Sequence, residues 1–157
     1  MIDLNNYIDP VCLDKPEVEP LKGSAAFPHN VAVNTGNEPL GDLDGFAVAI
    51  LGVPDDRSSY NTGASHAPDA IRKSLYSFSR LPGRLKITDL GNFRPGATFE
   101  DTIAGLRDVL LYLLSRNIVP VVIGGTSALM PALDRALSAG KQKWSMVSVD
   151  SRLDFTA

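Results

Sequence analysis

The 157-residue sequence contains one cysteine, Cys12, and two histidines, His29 and His66. A lone thiol excludes an intrachain disulfide and a cysteine metal cluster. It suits a reducing compartment, so the cytoplasm is the expected location. No apolar run approaches the roughly 20 residues needed to span a bilayer, and residues 1–10 lack the make-up of a secretory leader. Basic charge is in short supply: the net charge is −3 with lysine and arginine scattered along the chain. That excludes the electrostatic footprint of a nucleic-acid-binding or anionic-membrane-binding surface. Neither a G-x-G-x-x-G fingerprint nor a Walker Gly-Lys-Ser/Thr is present, and no internal repeat or low-complexity tract occurs.

What remains is ordinary globular composition. Hydrophobic residues make up 44% and charged residues 21%, which places the chain among folded, water-soluble proteins with room for one domain core. Residues 1–45 carry Pro10, Pro16, Pro20, Pro28 and Pro39 among Gly, Asn and Asp. This predicts an irregular N-terminal arm, either a plain surface wrap or an oligomer contact or lid. From Phe46 the character changes. Continuous apolar runs over 46–53, 85–90, 118–123 and 144–149 read as buried parallel strands, with Pro120 confined to a strand start or a break in the ladder.

Helical patterns alternate with these runs. One opens at Pro68 with Asp69 in its first turn and Ile71, Leu75 and Phe78 on one face. A second is capped by Thr98 with Asp101 three residues on, carries Ile103, Leu106, Leu110, Leu113 and Leu114 as a stripe, and ends at Asn117. A third covers 127–139 and stops at Gly140. The alternation predicts an α/β fold, a three-layer αβα arrangement with a mainly parallel sheet, whose ligands bind beyond the carboxyl ends of the strands.

Several residues fall at that edge. Asp150 and Asp154 flank Arg152 after the fourth run: two hard oxygen ligands or an acid/base pair, or else a structural ion pair with the arginine. Gly124, Gly125, Thr126 and Ser127 link a strand to a helix, where backbone amides can hold a phosphate or where Thr126 or Ser127 merely caps. Asp55, Asp56, Arg57, Ser58, Ser59 and Tyr60 form a polar loop after the first run. His66, ahead of the Pro68 helix, reads as a surface or capping residue, or as a base or ligand; His29 lies in the arm and carries less. Ser127 lacks the nucleophile-elbow pattern.

Read in order, Ile50-Leu51-Gly52-Val53-Pro54-Asp55-Asp56, Asn61-Thr62-Gly63-Ala64 and Ala67-Pro68-Asp69-Ala70-Ile71-Arg72 resemble the opening of the ureohydrolases, the arginase, agmatinase and formimidoylglutamase family. Asp89-Leu90-Gly91-Asn92, Val122-Ile123-Gly124-Gly125 and Val147-Ser148-Val149-Asp150-Ser151-Arg152-Leu153-Asp154 fall where that family has D-L-G-D, I-G-G-D-H-S and D-A-H-x-D.

The resemblance covers about residues 46–155 and implies the N-terminal half of an arginase-like αβα domain, here 46–157. It also implies a chemistry in which two manganese ions, held by histidines and aspartates, activate a water against a guanidinium or amidine carbon. Asp150 and Asp154 match two metal-binding aspartates. Arg152 and Ser127 stand at the family's histidine positions, with Thr126 the alternative to Ser127 under a one-residue shift.

A guanidinium stays protonated and offers a metal no lone pair. The expectation is therefore a degenerate site close to a subgroup with G-G-S-x-D-L and D-S-R-F-D in these places. Such a chain would need no manganese and would serve as a binding or assembly module, a homo-oligomer with a small guanidino or amidino ligand. The alternatives are an active manganese-dependent hydrolase of linear amidines and a phosphate- or nucleotide-binding α/β module.

Overall fold

The computed structural model describes residues 2–12, 31–57, 63–78, 85–140, 143–145, 147 and 149. Five strands form one sheet: β1 (Ile8–Asp9), β2 (Val31–Val33), β3 (Val48–Val53), β4 (Ile87–Phe93) and β5 (Val119–Gly124). Three helices accompany them: α1 (Ala67–Leu75), α2 (Phe99–Ser115) and α3 (Met130–Ala139). β4, β3 and β5 lie side by side and parallel. Along the outer edge of β4, β2 runs parallel to Ile87, Thr88 and Asp89, and β1 runs antiparallel to Asn92 and Phe93. The chain moves from β3 to β4 through α1 and then back across β3 to β5 through α2, the doubly wound pattern expected of right-handed crossovers.

The sheet separates two apolar clusters. Ala49, Leu51, Val53, Leu90 and Phe93 point to one face and meet Ile103, Leu106, Leu110, Leu113, Ala132 and Ala136 of α2 and α3. Ile50, Ile87 and Ile123 point to the other and meet Tyr76 beyond the end of α1. Of the expected α2 stripe, Ile103, Leu106, Leu110 and Leu113 are buried, each contributing about 1.5–3 kcal/mol, and Leu114 is half-buried. Its start is a full capping box: Asp101 N–H donates to Thr98 Oγ1 at 3.1 Å and Thr98 N–H donates to Asp101 Oδ2 at 2.9 Å. Asn117, expected to end the helix, has φ 59° just past it.

Four expectations require correction. The arm over 1–45 is not irregular throughout, since β1 and β2 join the sheet and Leu4, Ile8, Val31 and Leu43 are buried. The face of α1 is also different: Ile71 and Phe78 are 46% and 61% exposed, whereas Pro68, Arg72 and Tyr76 face inward. The third helical segment divides into a 3-10 turn, Ser127–Leu129, followed by α3, with Pro131 in the first turn of the α-helix. Finally, the described residues of 144–149 carry no strand, and Val147 and Val149 are 87% and 96% exposed. Pro120 is accommodated without a break in the ladder. Val119 N–H donates to Ala47 O, so by alternation residue 120 directs its backbone away from β3, where no amide donor is needed.

The inward face of α1 has an electrostatic cause. Arg72 and Asp89 are both fully buried, and the guanidinium grips the carboxylate with two bonds, Nε to Oδ2 at 2.9 Å and Nη2 to Oδ1 at 3.0 Å. Arg72 also donates to Asn92 Oδ1 at 2.6 Å and to Gly91 O at 2.8 Å. Asp89 further accepts the Tyr76 hydroxyl at 2.7 Å and the Gly91 amide at 3.0 Å. Burial, followed by the Asp89 charge, pushes the Tyr76 phenol well above its ordinary range, so it stays a donor. Burial opposes the charge of Arg72, but Asp89 outweighs it and the guanidinium stays protonated.

The register of β4 against β3 slips at this point, from Ile50↔Asp89 to Leu51↔Gly91. Gly91 carries the irregularity at φ +103°, and a Cβ there would strike the Asp9 carbonyl. Removing one partner of such a buried pair strands the other charge. Arg72→Ala should lower unfolding stability by about 3–5 kcal/mol in urea titrations. Asp69→Ala should cost under about 1 kcal/mol, because Asp69, at 3.3 Å from Arg72, is 40% exposed.

Candidate functional site

The loops after β3 and β5 meet at the carboxyl edge of the sheet. Gly125 N–H donates to Val53 O at 3.1 Å, and a Cβ on Gly125 would collide with the Asp55 carbonyl and lie 3.1 Å from Ala64 O. The glycine is therefore set by close approach of two backbones. It lies where the winding of the sheet reverses, between β3 and β5, the position at which open α/β sheets form their binding crevice. A cleft of about 350 Å³ opens alongside, lined by Gly124–Ser127 and by Leu106, Leu110, Met130 and Leu133. Its walls are apolar and its polar groups come only from the strand-to-helix loop.

Side chains at this edge are engaged with one another. Asp55 is 2% exposed, and Arg57 binds its carboxylate through Nη2 at 2.6 Å and Nε at 3.1 Å. The Arg57 side chain holds the Asp55 carboxyl below the usual carboxylate range against the opposing effect of burial. The same guanidinium donates to Gly96 O, Ala97 O and Thr102 Oγ1, at 3.1, 3.0 and 2.8 Å, and so fastens the β3 loop to the start of α2. Asp56 Oδ2 accepts from Gly63 N–H at 2.9 Å and from Ser65 N–H and Oγ at 3.3 and 3.1 Å. These bonds, led by the backbone amides of Ser65 and Gly63, lower the Asp56 pKa and hold the loop before α1.

Thr126 and Ser127 resolve into different roles. Thr126 is the cap, its Oγ1 accepting from Ala128 N–H at 3.2 Å, and Ser127 is exposed and lines the cleft. Three amides of this segment are committed: Gly125 N–H to Val53 O, Ala128 N–H to Thr126 Oγ1 and Leu129 N–H to Thr126 O. Thr126 thereby caps the turn that leads into α3. His66 precedes α1 at its N-cap position but makes no side-chain cap bond and is exposed. Asp150, Arg152, Asp154, His29, Ser58, Ser59 and Tyr60 lie outside the described residues.

The family model for the arginase family matches residues 46–157. The chain belongs to the arginase family. A formimidoylglutamase of Halalkalibacterium halodurans is 30% identical over 123 residues, 71% of this chain and 38% of that protein. A formimidoylglutamase of Salmonella paratyphi C is 34% identical over 83 residues, 50% of this chain and 26% of its own length. In structure, the chain is similar to an arginase superfamily protein from Trypanosoma cruzi, with TM-score 0.57 at 24% identity over 64% of this chain and 38% of that one. The α/β fold and the ureohydrolase resemblance of the sequence are thereby established. This arginase-family chain spans 38% of the length of the Halalkalibacterium relative.

Manganese, the metal the family brings, requires carboxylate and imidazole lone pairs directed at one point. The described groups at the carboxyl edge do not fit it: Ser127 contributes a neutral hydroxyl, Asp55 is bound by Arg57, and Asp56 Oδ2 is bound by three donors. Among the described residues no group of three or more His, Cys, Asp and Glu side chains is placed to hold a metal.

The Asp55 and Arg57 interlock was not evident from sequence beyond the presence of a polar loop. A carboxylate two residues from an arginine just past a buried strand was the available signal. Because the Asp55 pKa is lowered on folding, its contribution is present above the unfolded value near 3.8 and is lost as pH falls through the lower folded value. Asp55→Asn should therefore cost about 1–3 kcal/mol at neutral pH. In urea titrations, the gap between variant and parent should close as the pH is lowered below that value.

Proposed function

We propose that this arginase-family chain is formimidoylglutamase-like in ancestry, carries a degenerate dimanganese site and works as a binding or assembly module. The observation that carries this reading is the pairing at the carboxyl edge: Asp55 and Asp56 are bound by Arg57 and by the 63–65 loop, and Ser127 stands at a family histidine position. Arg152 at the second histidine position supports it from sequence, because a fixed cation repels a dication. On this reading Asp150 and Asp154 are retained family positions that pair with Arg152 instead of a metal, and the apolar cleft beside Ser127 takes a small guanidino or amidino group at most as a ligand. Association into a homo-oligomer belongs to the same reading.

A second reading, a metal-dependent hydrolase of C–N bonds in linear amidines, is favoured by the formimidoylglutamase names of the relatives. Metal content separates the two. After dialysis against manganese and then against buffer, mass spectrometry should find far less than one ion per chain. Ser127→His combined with Arg152→His should raise manganese affinity. Near-stoichiometric manganese on the unmutated chain, lost in Asp150→Ala, would reverse the order of the two readings.

A further inference from the structure

The Arg57 guanidinium lies among acceptors contributed by two separate segments. Nε and Nη2 bind the Asp55 carboxylate, at 3.1 and 2.6 Å. Nη1 donates to Gly96 O at 3.1 Å and to Ala97 O at 3.0 Å, while Nη2 also reaches Thr102 Oγ1 at 2.8 Å and Thr98 O at 3.4 Å. A carboxylate, three carbonyls and a hydroxyl thus surround one planar fork. A guanidinium has five N–H donors spread over three nitrogens and matches such a set, whereas an ammonium presents three donors from a single nitrogen.

The acceptors are held in place without the arginine side chain. Gly96 N–H donates to Thr102 Oγ1 at 2.9 Å, and the capping box fixes Thr98 against Asp101. A Cβ on Gly96 would strike the Asp101 side chain, so this turn is pressed against the start of α2. Asp55 is placed by its own N–H, which donates to Val53 O at 2.9 Å, and its carboxylate accepts the backbone N–H of Arg57 at 3.1 Å. Both bonds stand whatever side chain occupies position 57. The Asp55 side chain is 1% exposed and that of Arg57 is 38% exposed, so the main acceptor is deep while its occupant reaches solvent. Acceptors fixed in advance around a group that can be reached from water make a receptor as well as a structural tie.

We propose that Asp55, Thr102 and the carbonyls of Gly96, Ala97 and Thr98 form a binding site for monosubstituted guanidinium cations, which the chain closes with its own Arg57. The contact is autoinhibitory. Arg57, two residues from Asp55, meets the site at an effective concentration on the order of millimolar or above, and a free cation must exceed that to enter. The site is separate from the cleft beside Ser127 and from the family metal positions. It therefore goes beyond the proposed function: manganese content does not bear on it, and its failure leaves the manganese test untouched.

Methylguanidinium is the probe, with methylammonium at equal ionic strength as the control. Arg57→Ala empties the site and keeps the backbone N–H that Asp55 accepts. At about 10 mM, methylguanidinium should raise the thermal unfolding midpoint of Arg57→Ala by a few degrees, increasing with concentration as linkage requires. Methylammonium should not do so, the parent midpoint should stay put, and Asp55→Asn added to Arg57→Ala should abolish the gain. If Arg57→Ala does not fold alone, refolding from urea with methylguanidinium should restore its circular dichroism, and refolding with methylammonium should not. No gain or refolding with methylguanidinium, an equal response to methylammonium, a gain that survives Asp55→Asn, or an equal gain in the parent would overturn the proposal.

Discussion

A carboxylate taken fully out of water must be met by donors and opposite charge, and Asp89 imposes that requirement on its surroundings. Arg72 meets it from α1, Tyr76 from the turn that follows, and Gly91 from the strand itself. Three consequences follow. Helix α1 is rotated so that an arginine faces the sheet and Ile71 does not; β4 slips register where Gly91 turns its amide back; and the Asn92 side-chain Oδ1 accepts from Arg72 beside the strand end. Two planar groups joined by parallel bonds leave little angular freedom, so the pair fixes orientation as well as position.

The opposite end of the winding reversal uses the same chemistry with less burial. Arg57 answers Asp55 and then spends its remaining donors on carbonyls at the start of α2. The capping box of Thr98 and Asp101 holds that helix start from the other side. The carboxyl edge is therefore held by internal cross-links among the β3 loop, the start of α2 and the 63–65 loop, with Ser127 exposed beside them. Arginase-family architecture is retained in the path of the backbone, while Asp55 and Asp56 are engaged by Arg57 and by the 63–65 loop.

Elements governed by local pattern were legible in the sequence. The three central strands announced themselves as apolar runs, and Thr98 with Asp101 marked the start of α2 to the residue. The face of α1 was not legible, because hydrophobic periodicity counts Arg72 as a solvent residue and its partner lies 17 positions away. Nor were β1 and β2, whose two and three residues are too short for a period and owe their extension to β4. At the site, motif order revealed the family. Arg57 was visible only as part of a polar loop, since a contact to carbonyls about 40 residues on leaves no trace in local spacing.

The approach of Gly125 to the Asp55 carbonyl also bears on how such a site can change over generations. Position 125 tolerates no side chain, and the turn behind it is closed by Thr126. Variation is thereby channelled to the side chain of Ser127, which is exposed, since the bond Ser127 gives the turn, from Met130 N–H, goes to its backbone carbonyl. A lineage can exchange an imidazole for a hydroxyl there, or the reverse, while the surrounding backbone keeps its course. A change of side chain at this edge is therefore separable from the folding of the backbone that carries it.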